Sequence, residues 1–71
     1  MIQAGSRAEI IWETGEGHLA SCSICEIVNI SSKTVEIKYC SKVAFEGDKV
    51  SPIMKREIIT ANKVRRLKEL C

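Results

Sequence analysis

Two runs of alternating apolar and polar residues stand back to back in this chain, parted only by Asn29-Ile30-Ser31-Ser32-Lys33. The first covers Leu19–Ile30 and the second Thr34–Tyr39. A period of two is the signature of a half-buried β-strand, so the pair reads as one long β-hairpin. Apolar residues do not recur at helical spacing anywhere in residues 8–40. A small all-β chain has few ways to enclose a core, and curling the sheet is the most economical.

The chain is 71 residues long, which allows one domain. Hydrophobic residues are 45% of it, enough to drive a core and to exclude wholesale disorder. The net charge of +2 is too small to imply a nucleic-acid partner by itself. No stretch is long and apolar enough for a transmembrane helix, and the first residues lack the regions of a signal peptide. An intracellular location is the expectation, with no membrane partner.

Strand by strand, Ala8-Glu9-Ile10-Ile11-Trp12-Glu13 opens the fold, with Ala8, Ile10 and Trp12 on one face. Thr14-Gly15-Glu16-Gly17-His18 is a turn. In the second strand Ala20, Cys22 and Ile24 share a face, and continued alternation would bury Glu26. A bulge near Cys25-Glu26 would correct the phase, return Ile27 to the interior and bend the sheet. Val35, Ile37 and Tyr39 form the inward face of the third strand. A loop is expected over Ser41–Asp48 and a fourth strand over Lys49–Met54, irregular or at an edge because of Pro52. A fifth strand is expected over Arg56–Thr60, and a helical turn over Ala61–Val64 with Val64 and Leu67 buried. The predicted fold is an all-β, SH3-like (Tudor-like) five-stranded barrel with a short C-terminal helical turn. Its divisions are a polar lead-in at 1–6, the barrel at 7–67 and a tail at 68–71.

Cys22 and Cys25 form a C-x-x-C, and Cys40 and Cys71 stand elsewhere. Inside a regular strand, residues three apart face opposite ways, and the turn a zinc knuckle needs is missing. Free thiols are therefore expected, with Cys22 a small core residue, Cys71 frayed at the terminus, and neither metal nor other cofactor. The lone histidine, His18, lies in a glycine-rich turn with nothing to select it as a catalytic base, so no enzyme activity is expected.

Several segments together resemble the Agenet domain, a Tudor-like member of the Royal superfamily. They are Gly5-Ser6-Arg7-Ala8-Glu9-Ile10, Cys22-Ser23-Ile24-Cys25-Glu26-Ile27-Val28, Thr34-Val35-Glu36-Ile37-Lys38-Tyr39 and the closing Arg56-Glu57-Ile58-Ile59-Thr60-Ala61-Asn62-Lys63-Val64-Arg65-Arg66-Leu67. The likeness spans residues 5–67. Arg66 replaces the family's closing proline, and His18-Leu19-Ala20-Ser21 replaces its aromatic entry to the second strand. A lesser likeness, in Val28-Asn29-Ile30-Ser31, Val35-Glu36-Ile37 and Glu46-Gly47-Asp48-Lys49-Val50, is to the PilZ domain. That family's paired arginines and its glycine after Asn-x-Ser are missing here.

The Agenet resemblance implies a chromatin-associated, nuclear module that reads histone tails or other basic peptides, often beside a second Tudor-like domain. The chain holds three aromatic residues, Trp12, Tyr39 and Phe45, and a barrel of this kind would bring their loops to one end. Aromatic faces attract methylated ammonium groups. Glu13, Glu16, Glu46 and Asp48 would then balance a basic peptide. Three other readings compete: Trp12 and Tyr39 simply fill the core; Lys55, Arg56, Lys63, Arg65 and Arg66 contact nucleic-acid phosphates; or, as the resemblance also implies, the module is the scaffold half of a tandem Tudor pair.

Overall fold

A computed structural model describes residues 1–70. Five antiparallel strands form one sheet in the order β4-β3-β2-β1-β5. They are β1 (Arg7–Glu13), β2 (Leu19–Ile30), β3 (Thr34–Glu46), β4 (Lys49–Thr60) and β5 (Val64–Glu69). Single 3-10 turns occupy Gly15–Gly17 and Ala61–Lys63. The second of these is the expected C-terminal turn, and no α-helix occurs among the described residues.

The connection from β4 to β5 explains the shape of the sheet. These strands are its two edges, yet only Ala61–Lys63 joins them. In a flat sheet four strand spacings would separate them by about 19 Å. A 3-10 turn rising about 2 Å per residue cannot span that distance. The sheet must therefore curl until its edges approach at this corner. Beyond the corner β4 and β5 do not pair among the described residues, so the sheet is open and not the closed barrel expected.

One face of the curl holds the core: Ala8, Ile10 and Trp12 from β1, Cys25 and Ile27 from β2, Val35 and Ile37 from β3, and Ile59 from β4. The inward faces expected for β1 and β3 are the observed ones. In β2 the alternation breaks twice. Ala8 pairs with Cys25 while Ile10 pairs with Cys22, leaving an extra residue in the Ser23-Ile24 stretch. Ile27 pairs with Ile37 and Asn29 with Glu36, leaving Val28 over. These two bulges flank the expected position. They turn Ile24 outward, against expectation, and keep Cys25 and Ile27 inward with Glu26 exposed. Cys22 and Cys25 thus share the inner face instead of opposite ones. Cys25, not Cys22, is the buried core thiol. Cys71 lies outside the described residues.

The chain departs most from expectation after Tyr39. Ser41–Asp48 is not a loop; β3 continues through Glu46, and β4 runs unbroken from Lys49 to Thr60. Pairing holds from Thr34↔Thr60 out to Glu46↔Lys49, with one bulge at Ser41 whose hydroxyl donates to the Ile53 carbonyl. Gly47, at φ 59°, opens the two-residue turn, the glycine-first pattern of a type II′ hairpin. Pro52 lies on an edge strand, as its missing N–H demands. The true fifth strand is Val64–Glu69. It pairs with β1 and includes Lys68 and Glu69, which were expected in a tail.

Residues 1–6 are also more than a lead-in. The Gly5 amide donates to the Ile27 carbonyl and the Ile27 amide to the Ser6 carbonyl, each at 2.8 Å. Ile2 packs against the core from there.

Candidate functional site

Where the two sheet edges converge, a shallow cleft of about 330 Å³ opens between the end of β1 and the end of β4. Trp12, Glu13 and Thr14 line one side, Glu57–Thr60 the other, and Lys63 closes the corner. The curl creates this cleft, because β1 and β4 are three places apart in the sheet order.

Trp12 lines the cleft but is only 6% exposed. Its ring packs on Tyr39 with centroids 6.4 Å apart and planes tilted by 59°, a favourable edge-on arrangement. The pair thus serves the core first. Phe45 does not join it. Six residues of extended strand, less one bulge, put Phe45 about 17 Å further along. The register also places it on the opposite face, where it is 74% exposed. The three rings expected to converge are two together and one remote. The reason is the extension of β3: the residues read as a loop folding over Trp12 are a strand leading away from it.

The acidic residues divide in the same way. Glu13 lies at the cleft and is held by Arg65 and by Lys63 at 3.7 Å. Glu16 is exposed in the neighbouring turn, with φ at 66°. Glu46 and Asp48 are at the far tip of the β3–β4 hairpin. The sequence reading missed Glu57, which lines the cleft 4.0 Å from Lys55. Its place on the inner face, two residues before Ile59, was the available signal.

The basic residues do not make an open patch. Lys55 meets Glu57, Arg56 meets Glu36 at 3.9 Å, Lys63 and Arg65 share Glu13, and Arg66 meets Glu9 at 3.0 Å. Arg65 also donates to the Asn62 carbonyl at 2.7 Å. All five candidate phosphate contacts are thereby paired with carboxylates. Such surface pairs contribute little stability but do cancel the local field.

Cys25 has its thiol pushed up to about 11, first by burial and then by the neighbouring Cys22, with partial relief from the backbone of Ala8. It is a neutral core group at physiological pH and a poor nucleophile. Among the described residues no cluster of His, Cys, Asp and Glu has metal-binding geometry. No helix of the described residues is long and apolar enough to cross a membrane. Set against protein-family models, curated proteins and solved structures, the chain matches none.

Proposed function

We propose that this chain is a non-catalytic binding module whose cleft takes a lysine side chain of a basic peptide, methylated or not. The observation that carries this reading is that Glu13, Glu57 and Trp12 line one cleft. Carboxylates attract the ammonium, while an aromatic ring favours it whether or not methyl groups replace its N–H donors. Lys63, 3.7 Å from Glu13, occupies the place such a ligand would compete for. An SH3-like fold is the finer architecture consistent with this. The meander order and the 3-10 turn between the sheet edges support it, although β4 and β5 do not pair. A chromatin-associated, nuclear role and a second Tudor-like domain as neighbour rest on the Agenet resemblance. Nucleic-acid binding through Lys55, Arg56, Lys63, Arg65 and Arg66 is the weaker alternative, because each of these is already ion-paired.

Titration of the labelled protein with lysine-containing peptides, unmethylated through trimethylated, tests the reading. Shifts should centre on the Trp12 indole N–H and on Thr14, Thr60 and Lys63, and Glu57→Gln should weaken them. Binding of DNA or RNA alone, abolished by Lys63→Glu with Arg65→Glu, would replace the peptide reading.

A further inference from the structure

The first bulge of β2 places the C-x-x-C in a way that a regular strand could not. Cys22 stands opposite Ile10 and Cys25 opposite Ala8, so their partners in β1 are two residues apart although the cysteines are three apart. Three residues of regular strand would set them about 10 Å from each other on opposite faces. Matched instead to two residues of β1, their Cα atoms stand about 6.8 Å apart, at the long end of the range that a disulfide bridges. Ser23 and Ile24, the extra pair of the bulge, are both exposed. The cysteines on either side of them turn inward, with Cys25 part of the core and Cys22 packed against it.

Side-chain direction agrees with the register. The Cys22 thiol donates to the Ile24 carbonyl at 3.0 Å. That oxygen belongs to the peptide unit that leads into Cys25, so the Cys22 sulfur leans along β2 toward the second cysteine. After burial, the neighbouring Cys22 is the next cause of the raised Cys25 thiol, which means that the two groups feel each other's charge. Among the described residues no third His, Cys, Asp or Glu joins them in a metal-binding group. The pair therefore suits thiol–disulfide exchange better than a zinc site.

Access differs between the two sulfurs. Cys25 is 2% exposed and shielded from an external oxidant, whereas Cys22 is only half-buried. An entry thiol at the surface backed by a second thiol beneath it is the arrangement that two-step exchange requires.

We propose that Cys22 and Cys25 form a reversible disulfide across the β2 bulge by exchange with a small-molecule disulfide such as oxidised glutathione. The Cys22 thiolate attacks one sulfur of the oxidant. The oxidant's S–S bond breaks, a mixed disulfide forms on Cys22, and one small thiolate leaves and takes up a proton. Cys25 then gives its proton to water and attacks the Cys22 sulfur. The mixed disulfide breaks, the Cys22–Cys25 bond forms, and the second small thiol leaves. Two protein thiols are oxidised and one small disulfide is reduced to two thiols. Ring closure is the slow step, because a buried thiol ionises reluctantly. A bridge at the long end of its range is readily reduced, so the pair works as a switch and not as a staple.

The test equilibrates the native full chain in glutathione buffers of rising oxidised fraction, quenches it in acid, alkylates it and digests it with trypsin. No lysine or arginine lies between Ala8 and Lys33, so one peptide carries Cys22 and Cys25 and neither Cys40 nor Cys71. In that peptide the two alkylated thiols should give way first to glutathione on Cys22 and then to an internal bridge, lighter by two hydrogens. The circular dichroism of the sheet should not change, and dithiothreitol should restore both thiols. Cys25→Ala should stop at glutathione on Cys22. Cys22→Ser should leave Cys25 unmodified in the native chain and open it to glutathione in urea. Two free thiols in the native chain at every ratio, with bridging only in urea, overturn the proposal. So does a mixed disulfide on Cys22 that never closes, or a bridge from Cys22 to Cys40 or Cys71.

Discussion

The curled sheet and the arm that leaves it, the β3–β4 hairpin beyond Tyr39 and Lys55, are built from the same alternation but meet opposite fates. In the curl, β1 and β3 turn Ala8, Ile10, Trp12, Val35 and Ile37 onto a shared core, and these residues are almost wholly excluded from water. In the arm, Val43, Phe45, Val50 and Met54 alternate as regularly and remain exposed. What differs is the supply of neighbours. β2 pairs with β3 only as far as Glu26↔Lys38, and its earlier half pairs with β1, so no third strand pairs alongside residues 40–54. Binary patterning specifies a strand and its two faces, but burial requires something to pack against. The curl is therefore the source of stability, and the arm adds little to it.

Four experiments test that contrast. Ile37→Ala, at a position with no exposure, should cost about 2–5 kcal/mol in denaturant unfolding, since the cavity cannot collapse readily. A cost below that of an ordinary surface change would mean the curl is not the stability core.

Alkaline unfolding probes the same region through Cys25. Its folded-state value of about 11 stands above the ordinary 9.0. In the unfolded chain the thiol ionises first, so the unfolded state sheds its proton and is favoured as pH rises. Stability from this group is full below pH 9 and falls by on the order of 2–3 kcal/mol as pH rises through the folded-state value. Cys25→Ala should remove that part of the pH dependence between 9 and 11, whatever it costs at neutral pH.

Shortening the arm is a stronger challenge to the comparison, though the expected effect is smaller. Replacing residues 42–53 by an Asn-Gly turn should leave unfolding of the dilute protein within about 1 kcal/mol of wild type, because the core residues lie elsewhere. A loss of several kcal/mol would make the arm part of the fold. Val43→Ala, as a single change on the same surface, should stay within about 0.5 kcal/mol under those conditions.

Much of the curl was legible in the sequence because its strands follow a simple rule. Ala8, Ile10 and Trp12, then Val35, Ile37 and Tyr39, sit at spacing two with polar residues between. The burial of Glu26 that strict alternation would require was itself the sign of a bulge in β2. The arm was hidden by a bulge of the same kind. By parity Val43 and Phe45 continue the face of Tyr39, but polar Ser41 stands in the apolar place between them, and beside Gly47-Asp48 the segment reads as loop; the bulge that moves them to the other face leaves no mark in the sequence. The mate of that segment, Lys49–Met54, reads as a separate short strand, irregular or at an edge because of Pro52. β5 misled for a related reason. Val64 and Leu67 are three apart, which looks helical, yet the bulge at Arg65 lets both point inward, opposite Trp12 and Ile10. The cleft was only half legible: Trp12 and Glu13 could be named from sequence, whereas Glu57 depends on β4 curling back toward β1.

Amide hydrogen exchange tests the separation of core and arm most directly. The amides of Ile27, Val35 and Ile37 should exchange slowly, and those of Val43, Phe45 and Val50 fast, in the dilute protein. Arm amides as slow as the core amides would contradict that separation.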